Sequence, residues 1–332
     1  MADYTSTEPT AAPPTAKAAS PTARPLAWLR TPAAFWSLCG ILTLGFGAVA
    51  LGRWAADGGF SLHIEGYDTL STGRQITLWT AQAVFTAAFL AVVVRGIRQS
   101  RTAGRITFDT ALSLGYLTTL WIGPLLNLHR HNLYWDAALI HTPSWGAYIP
   151  GWSSPGAAHQ IEPFVTHYFA YGAGLMWLLV MDLLVRRLLL RRWPHLSRAR
   201  FALGVCILAA VLEITAEALS AATGILAFPT GIPVLTLFSG QWHQLPLQNV
   251  AFTAALWVAV PYLVRHHHAT HGPDSAVLRG TRQLPAPLRP VARLFAPIGL
   301  VQICLLGISL GYWLVGLLPG QVTVADLHLP YT

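Results

Sequence analysis

Long apolar stretches separated by shorter polar links dominate this chain. Seven of them, over about 35–54, 76–94, 106–126, 161–185, 201–226, 245–264 and 295–317, carry almost no charge in their interiors. Each approaches or exceeds the roughly 20 residues a helix needs to cross the hydrocarbon core of a bilayer. The pattern predicts an all-α polytopic membrane protein with about seven transmembrane helices and few internal Pro or Gly breaks. Composition agrees: 54% of residues are hydrophobic and 10% charged, with a mean hydropathy of +0.49. Soluble domains average about 25% charged residues, so a soluble enzyme carried on one anchor is excluded.

The net charge of +8 could suggest nucleic acid as a partner, but its placement points to topology. The N-terminal tail and the links after the second, fourth and sixth stretches hold 18 of the 21 Lys and Arg. Only Arg53, Arg74 and Arg130 fall on the other face. By the positive-inside rule the N-terminus is cytoplasmic and the C-terminus outside. The basic face meets membrane lipid rather than nucleic acid. Residues 1–31, rich in Ala, Pro and Thr, read as a disordered cytoplasmic tail without a cleaved signal. Residues 32–318 form the membrane domain and 319–332 a short outer tail. Cys39, Cys206 and Cys304 fall inside spans and read as small buried apolar residues, not disulfides.

One link breaks the pattern. Pro124 to Pro163, about forty residues between spans 3 and 4, holds His129, His131, His141, His159, three Trp, Asp136 and Glu162. Loops of that length are usually functional or disordered, and disordered segments are poor in aromatics. A long, ordered outer loop forming a lid or pocket wall is expected.

Ionisable groups within spans are costly and mark function. In span 5, Glu213 and Glu217 lie four apart and share one helix face with Ser220 and Gly224. At 1.5 Å per residue they lie about 18 and 24 Å from the cytoplasmic start of the span. Two close carboxylates in a low dielectric do not both ionise easily, so one is a usable general acid and its neighbour a usable base. A structural hydrogen bond to another span is the competing explanation. Asp182 is spaced for an ion pair with Arg186, and Asp109 sits in the first turn of span 3; both read as structural. Glu162 precedes Pro163 and is either a helix cap or a pocket residue. His167 and Tyr171 follow it four apart on the outer part of span 4.

The link after span 5 has no charge but holds Trp242, His243, Gln244, Gln248 and Asn249. Such a segment beside a membrane suggests a re-entrant or pocket-lining loop. His129-x-His131 and the His266–His271 run fall on opposite sides of the bilayer and cannot converge on one metal; the latter reads as a solvated basic loop. No metal or cofactor is expected.

The segment SWGAYIPGWSSP from Ser144 to Pro155, the Glu162-Pro163 pair, and SGQWHQLPL from Ser239 to Leu247 after an acidic fifth span resemble the AveC-like spirocyclase family. The likeness runs over about 105–265. It places Trp145, Pro150, Gly151, Trp152, Pro155, Glu162, Gln244 and Pro246 on the family pattern. It implies an integral membrane cyclase of polyketide or related biosynthesis that closes a dihydroxy-ketone into a spiroketal, sometimes with a dehydration. Two positions depart: Gly123-Pro124 stands where the family has Asp-Pro, and Gln248-Asn249 where it has an aromatic-Glu pair.

Spiroketal closure needs one acid, one base, a dry pocket and positioning. The expected catalytic set is Glu213 or Glu217 as acid and Glu162 or His167 as base. Trp145, Trp152 and Trp242 would wall the passing cation, with Asp136, His129, Tyr171, His243, Gln244 and Asn249 around a hydrophobic substrate. A membrane-bound terpene or meroterpenoid cyclase would use the same parts. A seven-span transporter or receptor predicts helices broken near the midplane.

Overall fold

The computed structural model describes residues 27–154 and 160–324. Five helices are long and apolar enough to cross a membrane: Pro32–Ala56, Thr72–Ala103, Arg198–Ala222, Leu247–Asp274 and Leu288–Gly316. The fold is mostly helical. Its α-helical pieces are α1 (Pro32–Ala56), α2 (Thr72–Ala103), α3 (Phe108–Leu117), α4 (Ala170–Gly172), α5 (Gly174–Leu184), α6 (Arg198–Ala222), α7 (Leu247–Thr253), α8 (Val260–His271) and α9 (Leu288–Gly316). Hydroxyl caps start four of the helices. Thr31, Ser71, Thr107 and Ser197 each accept the amide three residues on, satisfying one of the donors a helix start leaves free.

Two of the seven expected spans are not among these five helices. The 106–126 stretch begins as α3 and tightens into a 3-10 helix over Thr118–Asn127 that contains Pro124. Proline cannot donate to the α ladder, and Thr118 and Thr119 turn their hydroxyls back onto the Leu114 and Tyr116 carbonyls. The 161–185 stretch starts extended, because Pro163 disfavours helix at Glu162. It then runs through a π-turn at Phe164–Phe169, α4, α5 and a second π-turn at Val185–Leu190. A third π-turn, Ala254–Ala259, joins α7 to α8. The expectation of few breaks is overturned here, and π-turns of this kind recur at functional sites.

Other expectations are corrected at the ends. Residues 1–26 of the supposed disordered tail lie outside the described residues, but Ala27–Arg30 form a 3-10 turn leading into α1. The His266–His271 run is helical, the last turns of α8, rather than a loop. Cys206 is exposed on α6 while Cys304 is buried; all three thiols are free. In the last segment, Val322–Thr323 pairs as a strand with Thr230–Gly231, and 325–332 lie outside the described residues.

α9 is the central helix: 67% of its apolar window is buried, against 17–22% for α1, α2 and α6. It packs on α1, α3 and the 3-10 run. Trp121 Nε1 donates to Gln302 Oε1 at 3.0 Å, and Gln302 Nε2 to Thr118 Oγ1 at 3.1 Å. Around these lie Leu112, Tyr116, Leu175, Trp257, Val301 and Leu305. The backbones of α1 and α9 touch at Gly40 and Gly299. A Cβ on Gly299 would fall on the Trp36 carbonyl and 2.7 Å from the Gly40 nitrogen. Both obstacles are main chain, so they yield only if a helix moves. Gly299→Ala is therefore expected to cost about 1–3 kcal/mol and to lower the melting temperature of the detergent-solubilised protein; an unchanged melt would show that the two helices can part freely. On α6, Leu203, Ile207 and Val211 are exposed, while Val205, Ala209 and Glu213 form a buried stripe at spacing four. The exposed apolar face suits lipid and the buried one carries the carboxyl inward.

The long loop is ordered by short strands. β1 (Tyr134–Trp135) pairs with β4 (Leu226–Ala227), and β2 (His141–Pro143) with β3 (Ile161–Pro163). β5 (Thr230–Gly231) pairs with β8 (Val322–Thr323), and β6 (Thr236–Leu237) with β7 (Leu245–Pro246). The first pair ties the loop to the segment after α6, so the loop closes one end of the bundle.

Candidate active site

A cavity of about 180 Å³ lies under that loop, inside the bundle. α6 supplies Glu213, Glu217 and Ser220 to its wall, and α9 supplies Ser309 and Tyr312. The rest is largely apolar and includes a set of aromatics: Trp135 from β1, Tyr171 from α4, Trp177 from α5, Phe228, and Trp257 from the third π-turn. Glu213 is 3% exposed and its Oε1 has no hydrogen-bond partner; neither has Glu217 Oε2. Thr253 stands within hydrogen-bond reach of Glu217. A structural carboxyl would have its oxygens satisfied, since buried polar atoms are nearly all paired. These two keep free oxygens on the wall of a partly aromatic cavity, which suits proton transfer to a guest. The aromatic faces suit a transient cation.

A second buried carboxyl stands behind this wall. Glu162, 4% exposed, lies in β3 opposite Thr142. It is not a helix cap: Ser144 Oγ donates to Glu162 Oε1 at 3.0 Å, and Glu162 Oε2 lies 3.2 Å from His167 Nδ1. That contact is close enough for an ion pair, but its angle is poor, and His167 has no well-formed hydrogen bond at either ring nitrogen. Trp135 and Tyr171, both on the cavity wall, cover the His167 ring, with centroids 5.3 and 4.3 Å away. Glu162 itself borders a much smaller space of about 10 Å³.

Gly123 explains how the pair fits. A Cβ there would lie 2.7 Å from His167 Nε2 and 3.2 Å from Glu162 Oε2. The position that departs from the family's Asp-Pro is thus filled in space by Glu162 and His167.

The other expected residues fall elsewhere. Trp145 is fully buried behind the loop, with Nε1 donating to the Trp121 carbonyl at 3.0 Å and its ring packed on Trp54 and Tyr168. Trp152 covers Gly146. Neither lines the cavity, because 3-10 and turn geometry over Gly146–Trp152 folds them onto α1 and the loop itself. Pro155 lies outside the described residues. His129 is exposed and bonded to Ser153. Trp242 and His243 pack on each other in the link after α6 and do not line the cavity. Gln244 is fully buried but committed: it donates to the Phe228 carbonyl at 2.8 Å and accepts from Gly240 at 3.0 Å. It therefore shapes the link that presents Phe228. Asn249 is buried in α7 outside the cavity lining. Of the expected binding residues only Tyr171 stands on the cavity wall with Glu213 and Glu217.

Asp136 also departs from the expected role. Arg74 Nη2 donates to Asp136 Oδ2 at 2.6 Å and to the Gly224 carbonyl at 2.9 Å, and the Ala138 amide donates to Asp136 Oδ1 at 2.9 Å. Gly224 has φ +68°, and a Cβ there would overlap the guanidinium. One arginine thus clamps loop, α2 and the end of α6 together, with both carboxylate oxygens used. Asp109 and Asp182 are structural as expected. Asp109 makes a bidentate pair with Arg265 at 2.8 and 2.9 Å, and Asp182 pairs with Arg186. Among the described residues, His, Cys, Asp and Glu do not gather in threes that could hold a metal ion.

Helices long and apolar enough to cross a membrane enclose a cavity with two carboxyls on a partly aromatic wall, which defines a helical, membrane-compatible protein. The comparison with known families makes this specific: the family model described as "Spirocyclase AveC-like" matches residues 103–327, about two thirds of the chain, and the protein belongs to that family. Membership implies a cyclase-type enzyme of polyketide biosynthesis. No curated protein and no solved structure matches the chain.

Proposed function

We propose that the protein is a multi-pass enzyme of the cell membrane that closes a polyketide dihydroxy-ketone into a spiroketal, using its own side chains without a cofactor. In this reading all seven apolar stretches span, including the two outside the five long helices, with the N-terminus cytoplasmic, the C-terminus outside and the cavity opening toward the outer loop. The observation that carries it is the pair of carboxyls with unpaired oxygens, Glu213 and Glu217, on an aromatic cavity wall in a chain of this family.

The chemistry runs through that pair. One substrate hydroxyl adds to the ketone to give a hemiketal. The protonated carboxyl of the pair donates its proton to the hemiketal hydroxyl, the C–O bond breaks, and water leaves. The oxocarbenium ion is held against Trp135, Trp257 and Tyr171. The second hydroxyl attacks it, a new C–O bond forms, and its proton returns to the carboxylate. One water is lost and the enzyme's proton inventory is restored. The role of base thus moves from Glu162 or His167 to the span pair, because Trp135 and Tyr171 stand between them and the chamber; the Glu162–His167 pair orients those two rings.

The test is a metabolite comparison between a deletion strain and its parent. The expected result is loss of the cyclised product and appearance of an open precursor heavier by one water. Accumulation of an uncyclised isoprenoid instead would favour a terpene or meroterpenoid cyclase. An unchanged metabolite set with altered export would favour a transporter, the reading that the broken helices beside the cavity support.

A further inference from the structure

One buried polar atom on the cavity wall has no part in the chemistry above. Thr166 lies in the first π-turn, is 1% exposed, lines the cavity, and its Oγ1 has no hydrogen-bond partner. A buried hydroxyl left bare is rare, and a threonine in a helix has a simple remedy: it bonds the carbonyl four residues earlier. Thr43, Thr77, Thr86, Thr118, Thr215 and Thr223 in this protein all do so. Thr166 cannot. Its fourth preceding residue is Glu162, held extended in β3 ahead of Pro163, with its carbonyl facing the Thr142 hydroxyl at 3.5 Å. The strand-to-π junction therefore withholds the usual partner from the one threonine it sets on the wall contributed by this segment. Glu213 and Glu217 occupy a different wall, on α6.

We infer that Thr166 is a substrate-binding residue that holds the second hydroxyl of a linear dihydroxy-ketone, the group that must wait while the carboxyl pair expels water from the hemiketal. This rests on the proposed cyclisation and adds the residue that positions the nucleophile. A hydroxyl both donates and accepts, so Thr166 can hold the waiting group without deprotonating it. Because the contact exists before and during reaction, its loss should raise KM more than it lowers kcat.

The experiment uses the full-length protein in detergent, as wild type, Thr166→Val and Thr166→Ser. The probes are a synthetic linear dihydroxy-ketone and the matched ketone lacking the second hydroxyl, a competitor that cannot close to a spiroketal. Thr166→Val keeps the shape and removes the oxygen. It is expected to raise KM for the dihydroxy-ketone about tenfold, while Thr166→Ser stays near wild type. The competitor should inhibit wild type and Thr166→Val equally, since it lacks the group Thr166 would hold. Without ligand, Thr166→Val should melt at the same temperature as wild type or higher, because no partner is lost. A lower melt would reveal a structural bond and overturn the inference. So would an unchanged KM, or equal weakening of both probes. If wild type binds the dihydroxy-ketone, read as an upward shift in melting temperature, but does not turn it over, the proposed reaction fails while the two probes still decide the role of Thr166. If neither probe raises the wild-type melt, the inference fails with its ligand class.

Discussion

Glu217→Gln is expected to abolish turnover while leaving insertion and melting behaviour intact. Glutamine matches glutamate in shape and removes only the transferable proton, and positioned acid–base groups contribute about 10²–10⁴-fold. Glu213→Gln should lose a comparable factor. Because the two carboxyls sit one helical turn apart on the same cavity wall and pass a single proton, the double variant should be little worse than the poorer single one. Product formation at a wild-type rate by both well-expressed single variants would remove the acid from this site. A double variant whose losses multiply would show two independent roles in place of a shared proton.

Asp136→Ala should be among the most destabilising single changes in the protein. The carboxylate is fully buried and its partner Arg74 is 17% exposed, so truncation leaves a largely buried guanidinium beside Gly224 with half its contacts gone. Removing one partner of a buried pair typically costs about 3–5 kcal/mol. Chemical denaturation would read this directly. Replacing both partners with apolar residues of similar size, Arg74→Met with Asp136→Leu, should recover much of the loss, as breaking a buried pair is worse than omitting it. Were Asp136 a substrate ligand instead, Asp136→Ala would bind substrate poorly and yet melt normally. Activity should fall along with stability, because Trp135, the residue before it, walls the cavity.

Much of this was legible in the sequence. Glu213 and Glu217 stood out because a carboxyl inside an apolar run has no cheap explanation, and helical spacing put both on one face. Asp182 and Asp109 were equally readable, since local spacing and helix ends set their partners. The loop was recognisable as folded from its aromatics. Which of its aromatics face the cavity was not, because Trp135 and Trp145 are chemically alike and only the pairing of β1 with β4 turns one toward the carboxyls. Trp257 and Tyr312 were invisible for another reason: an aromatic in the middle of a span looks like core until the neighbouring helices are placed. Asp136 misled because its partner, Arg74, is 62 residues away. The π-turns also escaped, because no single residue encodes them.

The contact at Gly40 and Gly299 sets an order of events during biosynthesis. Among the described helices, α1 leaves the ribosome first and α9 last. The partner that buries Gly40, and much of the surface against which α3 rests, does not exist until α9 is made. Helices can enter a bilayer before they associate. The first must therefore wait in lipid with its glycine notch unfilled while every intervening segment, including the loop over the chamber, is threaded between them. Closure of the bundle therefore waits for α9, and a nascent chain stopped short of α9 would be inserted but open.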